Sequence, residues 1–129
     1  MDTNVLVSAI IGHGKPRRLL KLVLKRHTSV SSSEMMAELA DVLPRKKFGL
    51  TQGQITRFLA FYARRSEVVV LRRHVKAVEQ DPEDDTVLDT ALNGGARFIV
   101  TGDTHLLALG EFEGVRMITV DSALRLLSA

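Results

Sequence analysis

The sequence predicts an α/β fold with a parallel sheet covered by helices on both faces, and three observations carry that reading. Short apolar runs alternate with amphipathic helical stretches along the chain, the pattern of strand–helix–strand units. The clearest runs, Glu67–Leu71 and Phe98–Val100, are too short for helices and rich in apolar or β-branched residues, as strands buried on both faces are. The third is the residue that follows the second run. Thr101-Gly102 ends the strand and Asp103 comes next, at the strand end where open α/β sheets form their ligand crevice.

Size and composition agree. The chain has 129 residues, enough for one domain with its own core, and we take 1–129 as a single domain. Hydrophobic residues make up 45% and charged residues 26%, which is the balance of a globular domain rather than a disordered chain. Zero cysteines exclude a disulfide scaffold and thiolate metal sites. No apolar stretch approaches the roughly 18 residues of a membrane span, and the start lacks the basic and apolar regions of a signal peptide. These features point to a cytoplasmic protein with no membrane partner.

Charge points to a polyanion. Lys and Arg number 18 against 15 Asp and Glu, a net charge of +3. The basic residues are grouped: Lys15, Arg17, Arg18, Lys21, Lys25 and Arg26; then Arg45, Lys46 and Lys47; then Arg64, Arg65, Arg72, Arg73 and Lys76. Several acids stand apart from them around positions 79–89. Basic surface beside an acidic pocket suits metal chemistry on a bound polyanion, while solvated helix faces are the plainer account of the same charges.

Taken in order, Asp2 follows the initiator Met directly, so the strand that should deliver it is expected to be truncated: either the acid sits on a frayed start or the true start lies upstream. Val5–Ile11 begins a helix that Thr3 or Asn4 caps. Gly12-His13-Gly14-Lys15-Pro16 is a loop, and it lacks the glycine spacing and the Ser or Thr of a phosphate loop. Pro16 suits the first turn of the next helix, whose apolar residues Leu19, Leu20 and Val23 oppose the basic ones. His27–Val30 reads as a weak strand, and Ser31 with Glu34 as a capping box for a helix over Glu34–Leu43 that Pro44 ends. Thr51 caps a helix reaching about Arg65, with Ile55, Phe58, Leu59 and Tyr62 on its core face. After strand Glu67–Leu71, a linker leads to Glu83-Asp84-Asp85 and a helix closed by Gly94-Gly95. Strand 98–101, a short helix Thr104–Leu109, a strand Val115–Val120 and a helix Ser122–Leu127 complete the chain.

The candidate acids are Asp2, Glu38, Asp84 or Asp85, and Asp103. Each has a plainer reading alone. Asp103 suits an N-cap of Thr104–Leu109, Asp84 and Asp85 suit the positive end of a helix, and Glu38 suits a solvated helix face. Brought together, the acids repel one another, and a hard divalent cation offsets that repulsion. Mg²⁺ takes oxygen ligands, commonly one or two carboxylates with substrate phosphate and water, and such a site serves phosphodiester cleavage. The histidines His13, His27, His74 and His105 share no ligand spacing, which argues against zinc.

Four segments carry a family resemblance: Asp2-Thr3-Asn4-Val5-Leu6-Val7-Ser8-Ala9, Ser33-Glu34-Met35-Met36-Ala37-Glu38-Leu39, Asp81-Pro82-Glu83-Asp84-Asp85, and Val100-Thr101-Gly102-Asp103-Thr104-His105-Leu106-Leu107. In this order and spacing they resemble the motifs of PIN-domain nucleases, most of all the bacterial and archaeal toxins of toxin–antitoxin pairs. The resemblance implies a three-layer α/β/α sandwich with a central parallel sheet and Mg²⁺- or Mn²⁺-dependent cleavage of RNA. It carries metal-binding roles to Asp2, Glu38, Asp84 and Asp103, with Asp85 as the alternative to Asp84. Asn4 and Thr101 fall at supporting positions. It also implies an antitoxin protein and a homodimer as partners.

Other classes fit less well. A PIN-like module that binds RNA or protein without cutting is the main alternative, and the truncated first strand favours it. A response-regulator reading needs a Lys after a late strand, where Asp121 and Ser122 stand. An aspartate-nucleophile phosphatase needs a second Asp where Asn4 stands.

Overall fold

The computed structural model describes the backbone of residues 1–72 and 82–128, and the side chains of residues 1–72 and 86–128. In chain order the elements are α1 (Thr3–Ile11), α2 (Lys15–Arg26), β1 (Ser29–Ser32), α3 (Ser33–Val42), a 3-10 turn (Lys46–Phe48), α4 (Gln52–Arg65), β2 (Ser66–Val69), α5 (Pro82–Asn93), β3 (Phe98–Val100), α6 (Thr104–Leu109), β4 (Glu111–Phe112), β5 (Val115–Ile118) and α7 (Val120–Leu127). Strands and helices alternate as the sequence predicts. The parallel pairing is present in two pieces. β1 runs parallel to β2, Ser29 opposite Ser66, and β3 runs parallel to β5, Phe98 opposite Arg116. β4 adds to β5 antiparallel.

The boundaries differ from the sequence reading where a side chain supplies a cap. α1 is capped by Asp2, whose carboxylate accepts from Val5 N, so the helix begins at Thr3 rather than Val5. α3 is capped by the hydroxyl of Ser32 rather than Ser31, which lets β1 run on to Ser32. β5 stops at Ile118 because the Thr119 hydroxyl caps α7. α4 carries the reciprocal Thr51–Gln54 box, which holds the helix start through paired side-chain bonds. The β4–β5 hairpin is a feature the sequence reading did not contain. Its turn residues Glu113 and Gly114 have φ of 49° and 87°, the positive angles of a tight hairpin turn. Glu-Gly is a weak version of the usual Asn-Gly signal.

The β3–β5 sheet is covered on both faces. Ile99 and Met117 pack with Met35, Val87, Leu88, Ala91 and Leu106 on one side. Val100 and Ile118 pack with Val5, Leu19, Val23 and Ala123 on the other. The opposite facing of Ile99 and Val100 follows from the twofold alternation of a strand. A third cluster joins α1, α3 and α4 through Leu6, Leu39, Leu43, Ile55 and Tyr62. Tyr62 is held there by a bond with the Ser29 hydroxyl at 3.2 Å, and burial raises its phenol above the ordinary value, with Ser29 and Ser66 working the other way. α5 packs on both β1 and β3. Its end approaches β1 so closely that a Cβ on Gly94 would lie 2.2 Å from Val30 Cγ1, so glycine is required there. No helix among the described residues is long and apolar enough to cross a membrane.

Candidate functional site

The site is built on the last residues of β3. Asp2 N donates to Val100 O at 3.0 Å, which lays the start of the chain against the strand end. Thr101 continues the strand direction, its N–H donating to Ile118 O at 2.9 Å, and its side chain is fully buried. The Thr101 hydroxyl donates to the Asp2 carboxylate and accepts from Asp103 N at 2.9 Å. One hydroxyl therefore fixes both strand-end acids relative to each other.

Both acids also cap helices. Asp2 Oδ1 accepts from Val5 N at 3.0 Å. Asp103 Oδ1 accepts from His105 N at 2.8 Å and Leu106 N at 3.3 Å. The cap reading of Asp103 and the ligand reading are thus compatible: the cap falls on Oδ1 and leaves Oδ2 available. Each carboxylate meets the positive end of a helix, which favours negative charge. At the chain start, burial lowers the Met1 ammonium below its ordinary value, and the Asp2 charge acts in the opposite direction.

Asp103 opens onto a groove of about 720 Å³, lined also by Asn4, Ser8, Lys15, Thr101 and Asp121. Asp2 is only 7% exposed and does not line the groove. At the rim, Lys15 Nζ is 2.8 Å from Asp121 Oδ1. This hydrogen bond, then the Lys15 charge, holds the Asp121 carboxyl below its usual range. His105 Nδ1 stands 3.8 Å from Asp103 Oδ1. The basic face predicted for α2 is present, with Lys15, Arg18, Lys21, Lys25 and Arg26 exposed. Arg17 is turned inward to α1, its guanidinium donating to Ala9 O and Ile10 O at 3.1 and 3.0 Å.

Of the residues singled out in the sequence, Asp2, Asn4, Thr101 and Asp103 come together. Glu38 lies half-buried on α3 and is not part of the groove lining. The side chains of Asp84 and Asp85 lie outside the described residues. Among the described residues, no three of His, Cys, Asp and Glu gather closely enough to hold a metal ion. The pair that does gather offers oxygen donors only, the chemistry that Mg²⁺ and Mn²⁺ accept, and one or two carboxylates with substrate phosphate suffice for Mg²⁺. The donor set therefore fits such an ion. Sequence reasoning missed Lys15, Ser8 and Asp121 as groove residues. Asp121 carried a usable signal, since it follows β5 as Asp103 follows β3.

An α/β fold whose strand-end acids meet beside a cation-rimmed groove belongs to the class that binds ligands at the carboxyl ends of its strands. Comparison with family models narrows the class: the chain belongs to the PIN-domain family, whose model matches residues 1–105. That span contains the candidate acids named from the sequence, Asp2, Glu38, Asp84, Asp85 and Asp103. PIN domains are a nuclease-type fold, and their members generally act on nucleic acid with divalent metals. No curated protein and no solved structure matches the chain.

Proposed function

We propose that this protein is a metal-dependent endoribonuclease that cleaves RNA phosphodiester bonds at the groove beside Asp103. The observation that carries the reading is the Asp2–Thr101–Asp103 linkage, which ties acids from opposite ends of the sequence at one strand end. In this reading Asp103 and Asp2 hold Mg²⁺ or Mn²⁺, and Glu38 with Asp84, or Asp85 in its place, completes the acidic set. The bound ion would neutralise charge on the phosphate and supply a hydroxide at neutral pH. Thr101 orients the Asp2 carboxylate and anchors the Asp103 backbone. Lys15, at the groove rim, attracts the phosphate backbone, and the exposed face of α2 extends that attraction along the strand. Asn4, Ser8 and Thr104 offer polar groups to the sugar and phosphate oxygens. The family likeness alone supports the further roles of toxin, antitoxin partner and homodimer within one 1–129 domain.

The test is cleavage of a labelled single-stranded RNA by purified protein. Cutting is expected with Mg²⁺ or Mn²⁺ and is expected to stop with EDTA. Binding of RNA with no cutting in either metal would instead establish the non-catalytic module, and cutting that persists in EDTA would overturn the metal mechanism.

A further inference from the structure

The groove beside Asp103 has a second charged position. Asp121 lines it from the first turn of α7, as Asp103 does from the start of α6. Lys15, the first residue of α2, is the one basic side chain among the described residues that line the groove. Its Nζ lies 2.8 Å from Asp121 Oδ1, and both side chains are more than half exposed. The two helices are held together without that bond, because Leu19 and Val23 of α2 pack with Ala123 of α7.

Little in the fold requires the pair. An exposed ion pair contributes little to stability. Lys15 stands where a helix end already carries positive charge. The first turn of α2 holds no acid to offset it, and the cap residue, Gly14, makes no side-chain bond. Asp121 is differently placed. It meets the favourable end of α7, and Arg125, one turn on, also favours its charged form. The carboxylate therefore keeps favourable surroundings if Lys15 leaves it. A phosphodiester oxygen can take its place on the ammonium through the same kind of charge-assisted bond.

We propose that the Lys15 end of the groove is a phosphate subsite whose resident anion is the Asp121 carboxylate, which an RNA phosphate displaces on binding. The proposal takes the identity of the polyanion from the nuclease reading. Asp121 lowers the affinity of the groove for RNA, and Lys15 is the group through which it does so. The contact is weak enough to exchange, since both side chains already face water.

Fluorescence anisotropy of a labelled single-stranded RNA, recorded in EDTA so that metal-dependent cutting does not intervene, measures the exchange. Asp121→Asn is expected to tighten binding about three- to fivefold, the range that release of an exposed ion pair allows. Asp41→Asn changes the net charge equally on the exposed side of α3, outside the groove lining, and is expected to shift binding by under about twofold. With Lys15→Met also present, the gain from Asp121→Asn is expected to shrink to under about twofold. Equal gains from Asp41→Asn and Asp121→Asn would reduce the effect to net charge and overturn the proposal. So would the absence of any gain, or a gain that survives Lys15→Met undiminished, which is plain repulsion between Asp121 and the strand. RNA that binds none of these forms would overturn the nuclease reading itself, and the subsite with it.

Discussion

The starts of α1 and α6 are capped alike, each by an aspartate whose carboxylate accepts N–H groups of the first turn. Their surroundings differ. Asp2 is buried at 7% exposure, with both carboxylate oxygens accepting hydrogen bonds. The Asp103 side chain is 28% exposed, lines the groove, and takes its cap bonds on one oxygen. The same local chemistry therefore serves different ends. The buried cap has both oxygens committed to bonds, and the open cap takes its bonds on Oδ1 alone.

The comparison can be broken by substitution. Asp103→Asn is expected to produce the largest effect, a fall in RNA cleavage of at least ~10²-fold, or about 2.7 kcal/mol of barrier. Its thermal midpoint should stay near that of the unsubstituted protein, because Asn caps helices about as well as Asp. Equal losses of stability and activity would mean that Asp103 is a cap and nothing more. Asp2→Ala should lower cleavage as well, and unlike Asp103→Asn it should also lower stability. It removes a cap at about 1 kcal/mol and leaves the buried Thr101 hydroxyl without its acceptor at about 1–3 kcal/mol. Together these give about 2–4 kcal/mol, read as a lower urea midpoint with an unchanged slope. Asp103→Ala should cost only the cap.

Thr101→Val sharpens the link between the acids. It removes the hydroxyl that fixes both, and the groups left unpaired cost about 1–3 kcal/mol. Supporting residues of this kind typically change metal affinity or activity by about 10–100-fold, so cleavage should fall within that range while the fold persists. The smallest effect is at the rim. Asp121 should titrate below an ordinary aspartate in an NMR pH series, and Lys15→Met should return it toward the ordinary value. Because the folded-state value is depressed, any stabilisation is present above the unfolded value and is lost as pH falls through the folded one. Both partners are more than half exposed, so this change is read from the chemical shift rather than from the unfolding midpoint.

Helix and strand order was legible from periodicity where a segment faces a core on a regular repeat; Glu67–Leu71, read as a buried strand, instead leaves Val68 and Val70 exposed. Leu19, Leu20 and Val23 are buried on α2, opposite the exposed basic residues, as their spacing demands. Cap choice was not legible. Ser31, Ser32 and Ser33 are chemically equivalent in sequence, and only the β1–β2 register decides that Ser32 stands at the turn into α3. The same limit applies to Asp2, which the local sequence left behind Thr3 and Asn4 as a cap. Its role depends on Val100 and Thr101, far along the chain. Asp103 was legible as an acid at a strand end, and the structure adds that its cap bonds fall on one oxygen, Oδ1. The division of the sheet is also non-local, since it depends on which strands lie side by side rather than on any one strand's residues.

The bond between Thr101 and Asp2 spans 99 positions, and that separation has a consequence in time. Local contacts such as the Arg17 clasp on α1 can form while the chain is still short, whereas closing a loop of this length comes late. Asp2 therefore acquires its Thr101 partner only after most of the 129 residues have been made.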